Sequence, residues 1–132
     1  MKLRHFLPAF ALLASVVALA AEVPRLTAAE AAARVKAGDA VLVDVREPSE
    51  WKDTGVAAPA VLLEKSDFDG AKTAWAPFLK KVGKDKTIIL YCRSGNRSGK
   101  VAEALAAEGY QVVNAGGFKE WAAAGLPTRK VE

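Results

Sequence analysis

Histidine and cysteine, on which most side-chain nucleophile chemistry depends, occur once each in this 132-residue chain, as His5 and Cys92. A single Cys allows no internal disulfide, and neither a Cys₄ nor a Cys₂His₂ zinc site. With no His beyond the fifth residue, Ser-His-Asp and Cys-His systems have no base unless the extreme N-terminus supplies it. A resolving Cys is missing too, which excludes an internal dithiol–disulfide redox cycle. Strong charge is also absent: 19 Lys and Arg against 15 Asp and Glu leave a formal +4. What is abundant is apolar, 52% of all residues, which excludes a disordered chain. The length suits one domain. Any enzyme here works without a histidine.

The first 21 residues read as a segment separate from the rest. Lys2, Arg4 and His5 form a basic start, Ala9 to Leu19 is an apolar run broken only by Ser15, and Ala18-Leu19-Ala20 offers small residues for a signal peptidase. The uncharged stretch from Phe6 to Ala21 is 16 residues, short of the roughly 20 that span a bilayer. The expectation is a signal peptide over residues 1–21, cleaved near Ala20 or Ala21, and a single domain over 22–132 with no membrane anchor after cleavage. No Cys lies near the junction, so lipid attachment there is excluded. Removing Lys2 and Arg4 lowers the formal charge from +4 to +2, and so neutral a chain carries no nucleic-acid footprint. The cluster Lys80, Lys81, Lys84 and Lys86 reads as a solvated helix end and loop.

From Val23 onward helix and strand signals alternate. Thr27 with Glu30 forms a capping box before Ala28 to Ala37, and Gly38 stands where a left-handed cap belongs. Val41 to Val45 is a short apolar strand of the doubly buried kind. Pro48 to Trp51 suits one helical turn, and Ala60 to Leu63 a weaker strand. Lys72 to Lys81 is expected to be a helix that Pro77 kinks or divides. Thr87 to Tyr91 is the clearest strand. A helix is expected from Ser98 to Glu108, ended by Gly109, then a strand at Tyr110 to Val113. Gly116-Gly117 reads as a turn, Phe118 to Ala123 as a last helix, and Gly125-Leu126-Pro127 as a tail turn. The alternation predicts an α/β fold, a parallel sheet of about five strands with helices on both faces. Ligands in such sheets bind at the carboxyl ends of strands, where loops lead into helices.

Cys92 occupies that position, directly after the Ile88-Ile89-Leu90 strand. Unpaired N–H groups at a helix start, and a loop of Gly, Ser and Asn, can converge on a sulfur and favour its thiolate. Arg93 and Arg97 add positive charge. The expectation is a nucleophilic Cys with a pKa below the usual value of roughly 8.5, activated by field and hydrogen bonds. A small buried Cys that only fills space is the rival, but a filler needs neither flanking arginines nor a Gly-Asn turn.

Tyr91-Cys92-Arg93-Ser94-Gly95-Asn96-Arg97-Ser98 resembles the active-site loop of the rhodanese (thiosulfate sulfurtransferase) family. Leu42-Val43-Asp44-Val45-Arg46-Glu47-Pro48 with Glu50-Trp51 resembles that family's first strand and turn. Asn114-Ala115-Gly116-Gly117-Phe118-Lys119-Glu120-Trp121 resembles its closing Gly-Gly…Trp element. The three matches run in the family's order from about Thr27 to Pro127. The resemblance implies a rhodanese-like fold and a Cys92 that carries sulfane sulfur as a persulfide, cradled by loop N–H groups. The pattern Cys-Arg-x-Gly-x-Arg is the thiosulfate-type loop. One segment departs: Asp53 to Ala60 stands where many relatives have a Gly-His-Ile-x-Gly-Ala turn.

The activity so implied is a ping-pong transfer from a small anionic sulfur donor to cyanide, a thiol or a protein acceptor, with no cofactor. Arg93 and Arg97 are expected to bind the anion, Gly95 to permit the tight loop, and Ser94, Asn96 and Ser98 to supply N–H groups or hydroxyl bonds. Ser98 is also expected as the helix N-cap. Asp44 and Arg46 are expected to support the loop as a structural ion pair, and Trp51 and Trp121 to pack. Two alternatives differ in class. A cysteine phosphatase needs Cys-x₅-Arg, and here four residues separate Cys92 from Arg97. The other is a non-catalytic, sulfur-carrier or partner-binding domain of the same fold; loss of the Cys would mark a dead copy, and here Cys92 and both arginines are present. An exported signal joined to sulfur chemistry suggests the periplasm of a Gram-negative bacterium, and nothing demands more than a monomer.

Overall fold

A computed structural model describes residues 22–132; the expected signal segment lies outside them. The elements in chain order are α1 (Ala28–Ala37), β1 (Ala40–Asp44), α2 (Pro48–Thr54), β2 (Val56–Ala57), β3 (Val61–Leu62), α3 (Lys65–Asp69), α4 (Trp75–Val82), β4 (Thr87–Cys92), α5 (Asn96–Ala107), β5 (Val112–Gly117), α6 (Phe118–Ala123) and β6 (Thr128–Arg129). The main sheet is parallel throughout, in the order β3-β1-β4-β5. Beyond β5, Arg25 adds a single parallel bridge to Asn114, so four strands and one bridge stand where about five strands were expected.

Period-two alternation in the central strand explains why helices cover both faces. All six residues of β4 are buried. Ile88, Leu90 and Cys92 enter a core with Phe68, Trp75, Leu79, Val101 and Leu105 from α3, α4 and α5. Ile89 and Tyr91 enter a second core with Ala28 and Ala31 of α1 and Trp121 of α6. Cys92 is thus the last inward residue of a strand buried on both sides, on the α5 face.

Several expected boundaries move, each for a local reason. Helix α1 and its capping box stand as expected, and α6 covers Phe118–Ala123. The single turn at Pro48 grows to Thr54, with Glu50 bonded back to the Glu47 N–H at 3.2 Å. The region expected as one helix from Lys72 to Lys81 starts later, at Trp75, after a separate short helix at Lys65–Asp69. The Asp67 carboxylate accepts the Thr73, Ala74 and Trp75 N–H groups, which sets that start. Pro77 then falls in the first turn, where a missing N–H costs nothing, and it neither kinks nor divides the helix. Gly116-Gly117 is not a turn: β5 runs through both residues. Its register with β4 slips by one between Leu90 and Cys92, a bulge beside the cysteine. Gly117 is required there, because a Cβ at that position would collide with the Arg93 carbonyl oxygen. The departing Asp53–Ala60 segment contains β2, which pairs antiparallel with β6 and ties the tail to it.

Candidate active site

Helix α5 begins two residues earlier than expected. Its N-cap is Gly95, held at φ 96°, and Ser98 is the third helical residue rather than the cap. The shift has a chemical consequence. The N–H at the third helical position has no intrahelical partner, and here it turns to the sulfur. The Gly95 N–H donates to Cys92 Sγ at 3.0 Å and the Ser98 hydroxyl stands 3.3 Å from it, with the Ser94 and Ser98 N–H groups turned toward the sulfur beside them. Burial pushes the thiol's pKa up, but these hydrogen bonds outweigh it, and the net shift is below the ordinary cysteine value. Cys92 has no exposed surface.

Asn114, in the middle of β5, holds this cradle together. Its Oδ1 accepts from the Ser98 hydroxyl at 2.8 Å and the Gly116 N–H at 3.1 Å, and its Nδ2 donates to the Gly95 carbonyl at 2.9 Å. The Ser98 proton therefore has two acceptors, Asn114 and the sulfur. A thiolate draws it, and a thiol leaves it with Asn114. A lone Asn within Val112-Val113-Asn114-Ala115, an otherwise apolar strand, is the signal by which sequence reasoning could have found it.

The expected ion pair is present and buried. Arg46 donates from Nε to both Asp44 oxygens at 3.1 Å and from Nη2 to Oδ2 at 2.8 Å. It also donates to the Thr54 hydroxyl and the Gly55 carbonyl, both at 2.8 Å. Four of its five N–H groups are thereby used. Burial lowers the guanidinium pKa, yet the Asp44 hydrogen bonds and charge prevail and raise it. The group lies 4.5 Å from the Phe118 ring centroid. Phe118 in turn stacks on Tyr91, whose hydroxyl accepts the Ala57 N–H. Trp121 packs in the core with its indole bonded to the Pro127 carbonyl. Trp51 is buried too, and its indole N–H has no partner among the described residues.

The two loop arginines do different things. Arg93 is exposed, and with Ser94 it walls a cleft of about 720 Å³. Arg97 is turned to Glu50 in a two-point ion pair, Nη1 to Oε1 at 2.5 Å and Nη2 to Oε2 at 2.8 Å. Those bonds from Arg97 hold the Glu50 carboxyl below the usual carboxylate range, and Glu50 raises the Arg97 pKa. Among the described residues, the cleft's cations without an ion-pair partner are thus Arg93 and Lys119. Glu50 and Asp53 supply carboxylates, and Phe118 an apolar face. Of the residues expected at the site, Asn96 is exposed and bonds no sulfur. Glu50, Asn114, Phe118 and Lys119 lie in segments that carry the resemblance, but the sequence assigns them no role at the site. A second depression, of about 530 Å³, involves Thr87 and Val112 at the amino ends of β4 and β5, the opposite end of the strand that carries Cys92.

Comparison with known proteins agrees with this fold. Residues 27–124 match the model of a family described as Rhodanese-like domain. An uncharacterized protein of Synechocystis sp. is 35% identical over 94 residues, 70% of this chain and 48% of that protein. The chain therefore spans about half the length of that curated relative. A rhodanese-related protein from Thermoplasma volcanium superposes with TM-score 0.65 at 27% identity, covering 80% of this chain and 97% of that one. A Rhodopseudomonas palustris protein described as a possible tyrosine phosphatase superposes with TM-score 0.68 at 28% identity, covering 81% of this chain and 85% of its own.

Proposed function

The chain belongs to the rhodanese-like domain family, and from that premise we propose that it is a sulfurtransferase, with Cys92 carrying the sulfur and thiosulfate or a similar anion as donor. The observation that carries this reading is a buried sulfur that accepts the Gly95 N–H and the Ser98 hydroxyl, with the Ser94 and Ser98 N–H groups turned toward it and its pKa lowered. Such a setting suits a thiolate, and equally the terminal sulfur of a persulfide, without any base.

In the first step the Cys92 thiolate attacks the outer sulfur of thiosulfate. A Cys–S–S⁻ persulfide forms, the S–S bond of the donor breaks, and sulfite leaves with its electron pair. In the second step cyanide or a thiolate takes the outer sulfur, and the Cys92 thiolate returns. With cyanide neither step moves a proton, which fits a chain whose only His is His5. Arg93 and Lys119 attract the donor anion into the cleft. Burial of Cys92 shields the persulfide from water and stray thiols. Asp44 and Arg46 act as a brace, since the guanidinium is already committed.

Phosphatase chemistry, suggested by the description of the Rhodopseudomonas protein, fits less well. A loop that encloses phosphate needs five residues between Cys and Arg; four separate Cys92 from Arg97, and Arg97 grips Glu50 instead. We further propose action in the periplasm, on the strength of the basic and apolar N-terminal pattern; N-terminal sequencing of the mature protein checks it. The activity itself is tested by thiocyanate formation from thiosulfate and cyanide, with a +32 Da adduct on Cys92 by mass spectrometry. Thiocyanate formation lost in Cys92→Ser upholds the reading. Purified protein that forms neither thiocyanate nor adduct refutes it.

A further inference from the structure

Of the Arg97–Glu50 pair, the acidic partner stands on the cleft. The Glu50 carboxylate lines the cleft, whereas the Arg97 guanidinium does not. Both Arg97 terminal nitrogens are engaged by Glu50, at 2.5 and 2.8 Å. Glu50 is itself held: its Oε1 also accepts the Glu47 N–H, and Glu47 bonds Ser66 across the loop through both carboxylate oxygens. The planar fork of an arginine matches a carboxylate as well as it matches two oxygens of a sulfate-like group. An incoming oxyanion must therefore compete with a fitted, built-in one for Arg97. A second carboxylate, Asp53, stands on the same cleft.

We propose that Glu50 is a specificity-determining residue that sets how tightly the cleft holds oxyanions, by keeping Arg97 engaged away from the donor. This deepens the sulfurtransferase reading and rests on it for the identity of the site. A donor bearing a sulfonate end is held by Arg93 and Lys119 alone. The sulfite left after transfer is released readily, since no arginine pair clamps it. Donors without an oxyanion lose nothing by the arrangement. Glu50 touches no reacting atom and works through Arg97.

Sulfate is the probe, because it resembles the oxyanion end of the donor and undergoes no transfer. Its binding is measured by calorimetry on the wild type, Glu50→Gln, Arg97→Gln and the double variant. Glu50→Gln keeps a carbonyl for the Glu47 N–H, so α2 retains its cap. Freeing one arginine for a charge-assisted pair should tighten sulfate binding roughly tenfold in Glu50→Gln. The double variant should return to the wild-type level or below. Glu50→Asp, one methylene shorter and still charged, should tighten binding by a smaller factor through loss of the two-point grip. With thiosulfate, the apparent KM of Glu50→Gln should fall by a similar factor with no rise in kcat. Unchanged or weaker sulfate binding in both Glu50 variants, with the fold verified by circular dichroism, overturns the proposal. A gain that survives in the double variant overturns it as well. Sulfate that tightens as expected while the wild type makes no thiocyanate would refute the sulfurtransferase reading and leave the Glu50 assignment standing.

Discussion

Asp44→Asn isolates the role of the buried pair beside the loop. Asp44 and Arg46 have relative exposures of 0% and 2%, so the guanidinium has almost no access to solvent. Three of the contacts to Arg46 come from the two Asp44 oxygens. Asn preserves the shape and one acceptor but leaves the guanidinium without a counter-charge. Breaking a buried pair from one side costs about 3–5 kcal/mol, because a charge stays behind unpaired. At roughly 4 °C per kcal/mol for a domain of this size, the melting temperature should fall by about 12–20 °C. Removing both charges, in Asp44→Asn with Arg46→Met, should cost less than the sum of the two single changes. Thermal and urea unfolding followed by circular dichroism measure this, with thiocyanate formation assayed well below the transition. A loss under about 1 kcal/mol, or a fall in activity at undiminished stability, would refute the brace and return Arg46 to the substrate.

Other outcomes follow from the same geometry. Ser98→Ala removes one hydrogen bond to the sulfur, worth about 1.5–3 kcal/mol when the acceptor is charged, and should raise the Cys92 pKa, read from thiolate absorbance. Arg93→Glu, on an exposed residue, should raise the apparent KM for thiosulfate several-fold and leave stability within about 0.5 kcal/mol. Stability should itself depend on the ionisation of Cys92. Its pKa in the folded protein lies below that of the unfolded chain, so the unfolded state binds more protons between the two values. The stability of the wild type relative to Cys92→Ser should therefore climb as pH rises from the folded value to roughly 8.5, then level off, and vanish as pH falls through the folded value. Urea titrations of both proteins across that range check the sign.

What sequence could show divides along physical lines. Helix α1 was legible to the residue because its start and stop lie in its own sequence, Thr27 with Glu30 and then Gly38. The strand–Cys–loop–helix order was legible because Ile88 to Leu90 has no reading but a buried strand. The exact start of α5 was not, because a glycine at positive φ caps it and no hydroxyl marks the place. Helix α3 and the β2–β6 pair are too short to carry any periodicity. Their partners lie far along the chain, as Ala57 does from Thr128. The binding role expected of Arg97 rested on its charge within the loop and on the Cys-Arg-x-Gly-x-Arg pattern, both of them local. Its partner Glu50 is 47 residues away, and nothing local announces a contact of that reach. Asp44 and Arg46, two residues apart on one strand end, could pair locally, and they do.

Titration of the single thiol tests the central claim most directly. With one Cys in the chain, the absorbance of the thiolate near 240 nm reports Cys92 alone, and Cys92→Ser supplies the blank. The account predicts a midpoint clearly below roughly 8.5, the value of an unperturbed cysteine. A midpoint at or above it would mean that burial prevails over the Ser94, Gly95 and Ser98 donors, and would contradict the account.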